Sequence, residues 1–108
     1  MPTEQEIAIA QELLQKHFDW TEEELPENNF VSLEELQVAL SKLLLQLLKE
    51  GKIERILQGM YRIDVSESKF KQVMLAYDNL ESTAMALSQL VIERELQKVH
   101  WRIKYQHK

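Results

Sequence analysis

Leucines at 33, 36, 40, 43 and 47 alternate spacings of three and four, a ladder that constrains the chain more than any other feature. With 3.6 residues per turn the five share one helical stripe, widened by Leu44 and Leu48, and that stripe must be buried. The boundaries are also written in the sequence. Ser32 and Glu35 stand as a capping box, Val31 and Leu36 as a hydrophobic staple, and Gly51 as a left-handed stop. The pattern predicts a helix from Leu33, with Leu36, Leu40, Leu43 and Leu47 in the core. Lys42, Gln46 and Lys49 face outward, as does Leu45.

Upstream, Thr3 and Glu6 form a second capping box, and a first helix is expected from about Gln5 to Phe18. Ile7, Leu14 and Phe18, with Ala10 and Leu13, mark its buried stripe. Asp19 to Asn29, with its acids, Pro26 and asparagines, is expected as a solvated connection with room for one helical turn. After Gly51 the period changes. Lys52 to Ile56 and Met60 to Asp64 are read as two short strands joined around Leu57, Gln58 and Gly59, a β-hairpin over 52–64.

From Ser66 onward there is neither proline nor glycine, and Phe70, Val73, Tyr77, Leu80, Ala84, Leu87 and Val91 keep heptad spacing. That pattern suits a long C-terminal helix over 65–108 pairing with a second copy along this seam. A helix of some 35 residues would span about 50 Å, more than a domain of this size can cover. The alternative breaks it near Ser82 and Thr83 and folds the last part back on the same chain. A second stripe of Met74, Leu90, Ile92, Leu96 and Val99 is expected to contact the chain's own domain.

The 108 residues are expected as a folded chain with a 1–64 unit followed by the 65–108 helix. With no cysteine, disulfides and thiolate chemistry are excluded, and a reducing cytoplasm is the natural setting. The start does not read as a signal peptide, and no apolar run reaches membrane-spanning length. His17, His100 and His107 are too few and too scattered for a metal or acid–base centre, and the two glycines do not make a phosphate loop. Neither a cofactor nor a catalytic site is expected. The net charge of −5 is uneven, at −8 for residues 1–50 and +3 for 51–108. The tail interleaves Arg94, Lys98, Arg102, Lys104 and Lys108 with Trp101 and Tyr105, a mixture suited to stacking on bases or to a protein interface.

The runs SLEEL, LLLQLLKEGKIERI and GMYRI over residues 32–63 resemble the helix, glycine, strand, wing and strand of winged-helix DNA-binding domains, including antitoxin-type regulators. The resemblance implies a mainly α fold with one small β-hairpin, and a homodimeric regulator of transcription on duplex DNA. Lys42, Gln46 and Lys49 would then enter the major groove, and Lys52, Arg55 and Arg62 would clamp the backbone. It also requires a tight turn near Val38 to Ser41, whereas the ladder reads as one helix of about 18 residues. The alternative function is a protein-interaction adaptor or assembly factor that binds no nucleic acid.

Overall fold

The computed structural model describes residues 3–18, 20 and 32–106. Five helices follow one another: α1 (Glu4–Phe18), α2 (Leu33–Lys49), α3 (Ile53–Arg62), α4 (Glu67–Ala76) and α5 (Leu80–Gln106). Both expected helix starts are made. Thr3 N–H donates to the Glu6 carboxylate at 3.3 Å while the Thr3 hydroxyl accepts from Glu6 N–H at 3.1 Å. At α2, the Ser32 hydroxyl accepts from Glu35 N–H at 3.2 Å. Val31 of the staple, and the 19–29 connection apart from Trp20, lie outside the described residues.

Gly51 ends α2 as expected, at φ 72°. Lys52 N–H donates to Leu47 O at 2.8 Å and Gly51 N–H to Leu48 O at 3.1 Å, the paired bonds of a Schellman stop. Between Leu33 and Lys49 the helix is continuous, so the turn near 38–41 that a helix-turn-helix requires is not formed. Its buried face is Leu36, Leu40, Leu44, Leu47 and Leu48, while Leu43 is only half-buried. Steps of four through Leu36, Leu40, Leu44 and Leu48 therefore set the stripe, and Leu43 lies at its edge.

The β-hairpin over 52–64 is not formed: there is no strand among the described residues, and this segment is α3. Ile53, Ile56, Met60 and Ile63 are spaced three, four and three apart, which is a helical stripe, and the last three are buried. Gly59 is not a turn. It lies inside α3 against Phe18, where an added Cβ would collide with the ring. The actual stop is Asp64, in the left-handed region at φ 62°, with Val65 N–H donating to Met60 O at 2.9 Å. Aspartate is among the few residues besides glycine that adopt this conformation readily.

The expected C-terminal helix is two helices. It starts at Ser66 as read, with the hydroxyl capping Lys69 N–H at 3.2 Å, but stops at an extended Tyr77. Asn79 then opens α5, its side chain accepting from Ser82 N–H at 2.8 Å. The break thus precedes Ser82 and Thr83, because an asparagine cap gives the new helix a better start than continuation offers. At 27 residues α5 is about 40 Å long, close to the longest dimension of the molecule, 44 Å. It packs on α1, α2 and α4, most extensively on α2, so α1–α3 and α4–α5 contribute to one core. Phe70, Ala84, Leu87 and Val91 of the expected dimer seam are buried in that core, and Val73 is half-buried. Only Tyr77 and Leu80 remain exposed, so the seam is covered by the chain itself.

Candidate polyanion interface

The residues expected to touch DNA are split between two faces. Lys42, Gln46 and Lys49 are exposed on α2, but Gln46 donates to Glu50 at 3.0 Å and Lys52 pairs with the same carboxylate at 3.0 Å. Those bonds hold the Glu50 carboxyl below its ordinary range, with Lys52 the larger cause. An ionised acid therefore sits at the end of the α2 face. Arg62 lies elsewhere, on α3 beside the last turn of α1, Arg55 lies between the two groups, and with no hairpin over 52–64 there is no wing to carry them.

A different set of basic residues converges. Arg62 donates to His17 O at 2.9 Å, satisfying a carbonyl at the end of α1. Arg94 donates through Nε to Ile63 O at 2.9 Å, and Lys98 Nζ reaches Arg62 O at 3.5 Å. The ends of α1 and α3 are thus capped by cations, the sign that a helix C-terminus favours. Asp64, in its left-handed corner, lies 3.9 Å from Arg94 and 3.7 Å from Lys98 and offsets part of their charge.

From this junction a mixed stripe runs out along α5. Successive helical residues turn by about 100°, so Arg94, Lys98, Trp101, Arg102 and Tyr105 share a sector of about 100°. Trp101 and Tyr105 are each 62% exposed, and Arg102 is exposed between them.

Behind the basic junction is a buried acid. Glu95 has no solvent exposure, and both its oxygens lie near His17 Nδ1, at 3.1 and 3.2 Å. Burial pushes the Glu95 carboxyl up to about 7, against the pull of Lys98 and Arg94. Burial also lowers His17, helped by the charges of Lys98, Lys16 and Arg62. Desolvation therefore favours the neutral form of both partners. The sequence carries a trace of this pair: Leu87, Val91, Glu95 and Val99 step by four along the buried stripe, and only Glu95 is charged.

His100 pairs instead with Glu6, across α5 and α1, and His107 lies outside the described residues. Among the described residues no three His, Asp or Glu side chains are grouped to hold a metal ion, and no helix is long and apolar enough to cross a membrane. Comparison with protein-family models, curated proteins and solved structures finds no match to this chain.

Proposed function

We propose that this chain is a non-enzymatic binding domain for nucleic acid, single-stranded in preference to duplex, engaged through the α3–α5 basic face. The observation that carries the reading is the interleaving of Lys98 and Arg102 with exposed Trp101 and Tyr105 on one side of α5, next to Arg62. Cations along a strand neutralise phosphates, and aromatic rings among them stack on unpaired bases of any sequence. A duplex offers no free base faces for such rings. Nor is there, among the described residues, a wing to accompany a helix in the major groove.

Fluorescence anisotropy with labelled single-stranded and duplex oligonucleotides of equal length tests this. Tighter binding to the single strand is expected, with Trp101→Ala weakening it roughly tenfold or more, since a stacked base contributes about 1–3 kcal/mol. Equal affinity for both forms, unchanged by Trp101→Ala, would contradict the reading.

One observation favours a protein-binding adaptor as the second reading. At the other end of α5, Leu80 and Met85 are exposed, and the adjoining α4 leaves Leu75 86% exposed. Such apolar exposure suits a protein partner better than a phosphate backbone. Absence of any nucleic-acid binding would favour this alternative.

A further inference from the structure

Where α3 turns through Asp64 into α4, a cavity of about 310 Å³ opens against α5. Its lining includes Asp64, Lys69, Leu90, Glu93, Arg94 and Gln97. The four α5 residues stand at i, i+3, i+4 and i+7, one face of that helix, and Trp101 follows Gln97 on the same face one turn, about 6 Å, further on. We propose that this cavity recognises a guanine base.

Charge selects the class of ligand. Asp64 and Glu93 are set against Lys69 and Arg94, so the formal charges of the lining balance, and a phosphate entering here would meet two carboxylates. The group that fits is uncharged but polar, with donors and acceptors at separate edges and an apolar face for Leu90. A nucleobase has that character, and the volume lies at the lower end of the roughly 300–1,000 Å³ that drug-sized ligands occupy. Its position continues the strand path: with one base stacked on Trp101, the neighbouring base lies beside the cavity.

The hydrogen-bonding groups select among the bases. Guanine offers O6 and N7 as adjoining acceptors, which suit Lys and Arg donors, and its amino group adjoins the ring N–H, so that one carboxylate accepts from both. Adenine and cytosine each have a single donor group at that edge. The carboxylates here are open to such donors. Asp64 is 72% exposed, and at 3.9 Å from Arg94 and 3.7 Å from Lys98 its contacts are longer than hydrogen bonds. Glu93 accepts from Gln89 through Oε1 at 3.4 Å, which leaves Oε2. On the donor side, Arg94 is fixed by donating to Ile63 O at 2.9 Å and to Gln97 Oε1 at 2.9 Å, so the Gln97 amide keeps its N–H groups for a ligand. The Lys69 ammonium is exposed on α4.

The base comes either from a free guanine nucleotide or from a nucleic-acid strand. The second source rests on the function proposed above and the first does not. Titration of the four nucleoside monophosphates into the full chain, followed by the amide resonances of Leu90 and Gln97, tests the cavity itself, because the phosphate is common to all four. Guanosine monophosphate should saturate and bind at least severalfold tighter than the others. Inosine monophosphate, which lacks only the amino group of guanine, should lose that advantage. Glu93→Gln and Asp64→Asn, both at exposed side chains, should each reduce the preference severalfold while leaving the helical signal intact.

Equal responses to the four nucleotides, an unsaturated response to guanosine monophosphate, or a preference unchanged in both variants would overturn the site even if oligonucleotides still bind. In a second arm, a thymine strand carrying one guanine is compared with an all-thymine strand. Tighter binding of the guanine strand, lost in Glu93→Gln, assigns the cavity to strand recognition. Equal binding of the two strands, alongside saturable guanosine monophosphate, assigns it to the free nucleotide. Saturable guanosine monophosphate with no oligonucleotide binding would sink the proposed function and leave the guanine site standing.

Discussion

Gly59 of α3 packs against the ring of Phe18 at the end of α1, so closely that no side chain fits between them. Phe18 in turn stacks on Trp20 with ring centroids 4.8 Å apart. This contact brings the end of α1 onto α3 and positions the α3 arginines beside His17. A glycine inside a helix ordinarily weakens it by about 1 kcal/mol relative to alanine, so its presence calls for a packing reason, and Phe18 supplies it.

Gly59→Ala should therefore destabilise the chain by about 1–3 kcal/mol, because the overpacking exceeds the gain in helix propensity. Phe18→Leu in the same chain should recover part of that loss, as a coupled pair does in a double-mutant cycle. Denaturant unfolding measures both. A more stable Gly59→Ala chain would show that the contact is absent.

The same glycine explains where the sequence misleads. Gly59, flanked by residues that suit a strand, carries the signature of a hairpin turn, and a close helix contact leaves the same mark. The spacing of Ile53, Ile56, Met60 and Ile63 was legible as a helix, but a ten-residue segment supplies only three turns of periodicity. The starts at Thr3, Ser32 and Ser66 and the stop at Gly51 were legible because each depends on neighbours within a few residues. The break at Asn79 was hidden by a heptad pattern that continues through it. Among the candidate site residues, Arg94, Lys98, Trp101 and Arg102 stand out in the tail as a basic and aromatic group. The meeting of Lys98 with Arg62, and the pairing of His17 with Glu95, depends on contacts across tens of residues that no local spacing records.

The buried Glu95 gives the stability a definite pH dependence. Its folded pKa of about 7 lies above the ordinary 4.5, so the folded chain binds the extra proton between these values. Stability from this group is present below pH 4.5 and is lost as the pH rises toward 7. His17 acts in the opposite sense. Its lowered pKa means the unfolded chain takes the proton more readily, which costs stability as the pH falls through 6.5. Glu95→Gln keeps an acceptor for His17 and removes only the acid. The variant should match the parent near pH 4.5 and exceed it by about 1–3 kcal/mol at pH 8, at 1.36 kcal/mol per pKa unit. Denaturant unfolding at both pH values checks this, and an equal difference at both would refute it.

Gln11 of α1 is buried, and its Nε2 has no hydrogen-bond partner among the described residues. An unmade bond of this kind costs about 1–3 kcal/mol. Gln11→Met, similar in length and without the amide, should raise stability by about 1 kcal/mol in denaturant unfolding. A decrease would mean that the amide is satisfied in solution.

Leu87 separates the folded-back arrangement from a helix pairing with a second copy. It has no exposure within the single chain, so Leu87→Asp should unfold the protein rather than release a folded monomer. Circular dichroism with sedimentation distinguishes these outcomes. A helical, folded monomer from a dimeric parent would restore the seam and contradict the packing of α5.

Nucleic-acid binding through the α3–α5 face is tested most directly by the salt dependence of single-strand affinity. If Arg62, Lys98 and Arg102 each neutralise a phosphate, a plot of log affinity against log salt should have a slope of about −2. Arg102→Gln, exposed and away from the core, should flatten it by about 0.7. A slope near zero, or no binding at about 50 mM salt, would contradict the account and leave the basic face as helix capping alone.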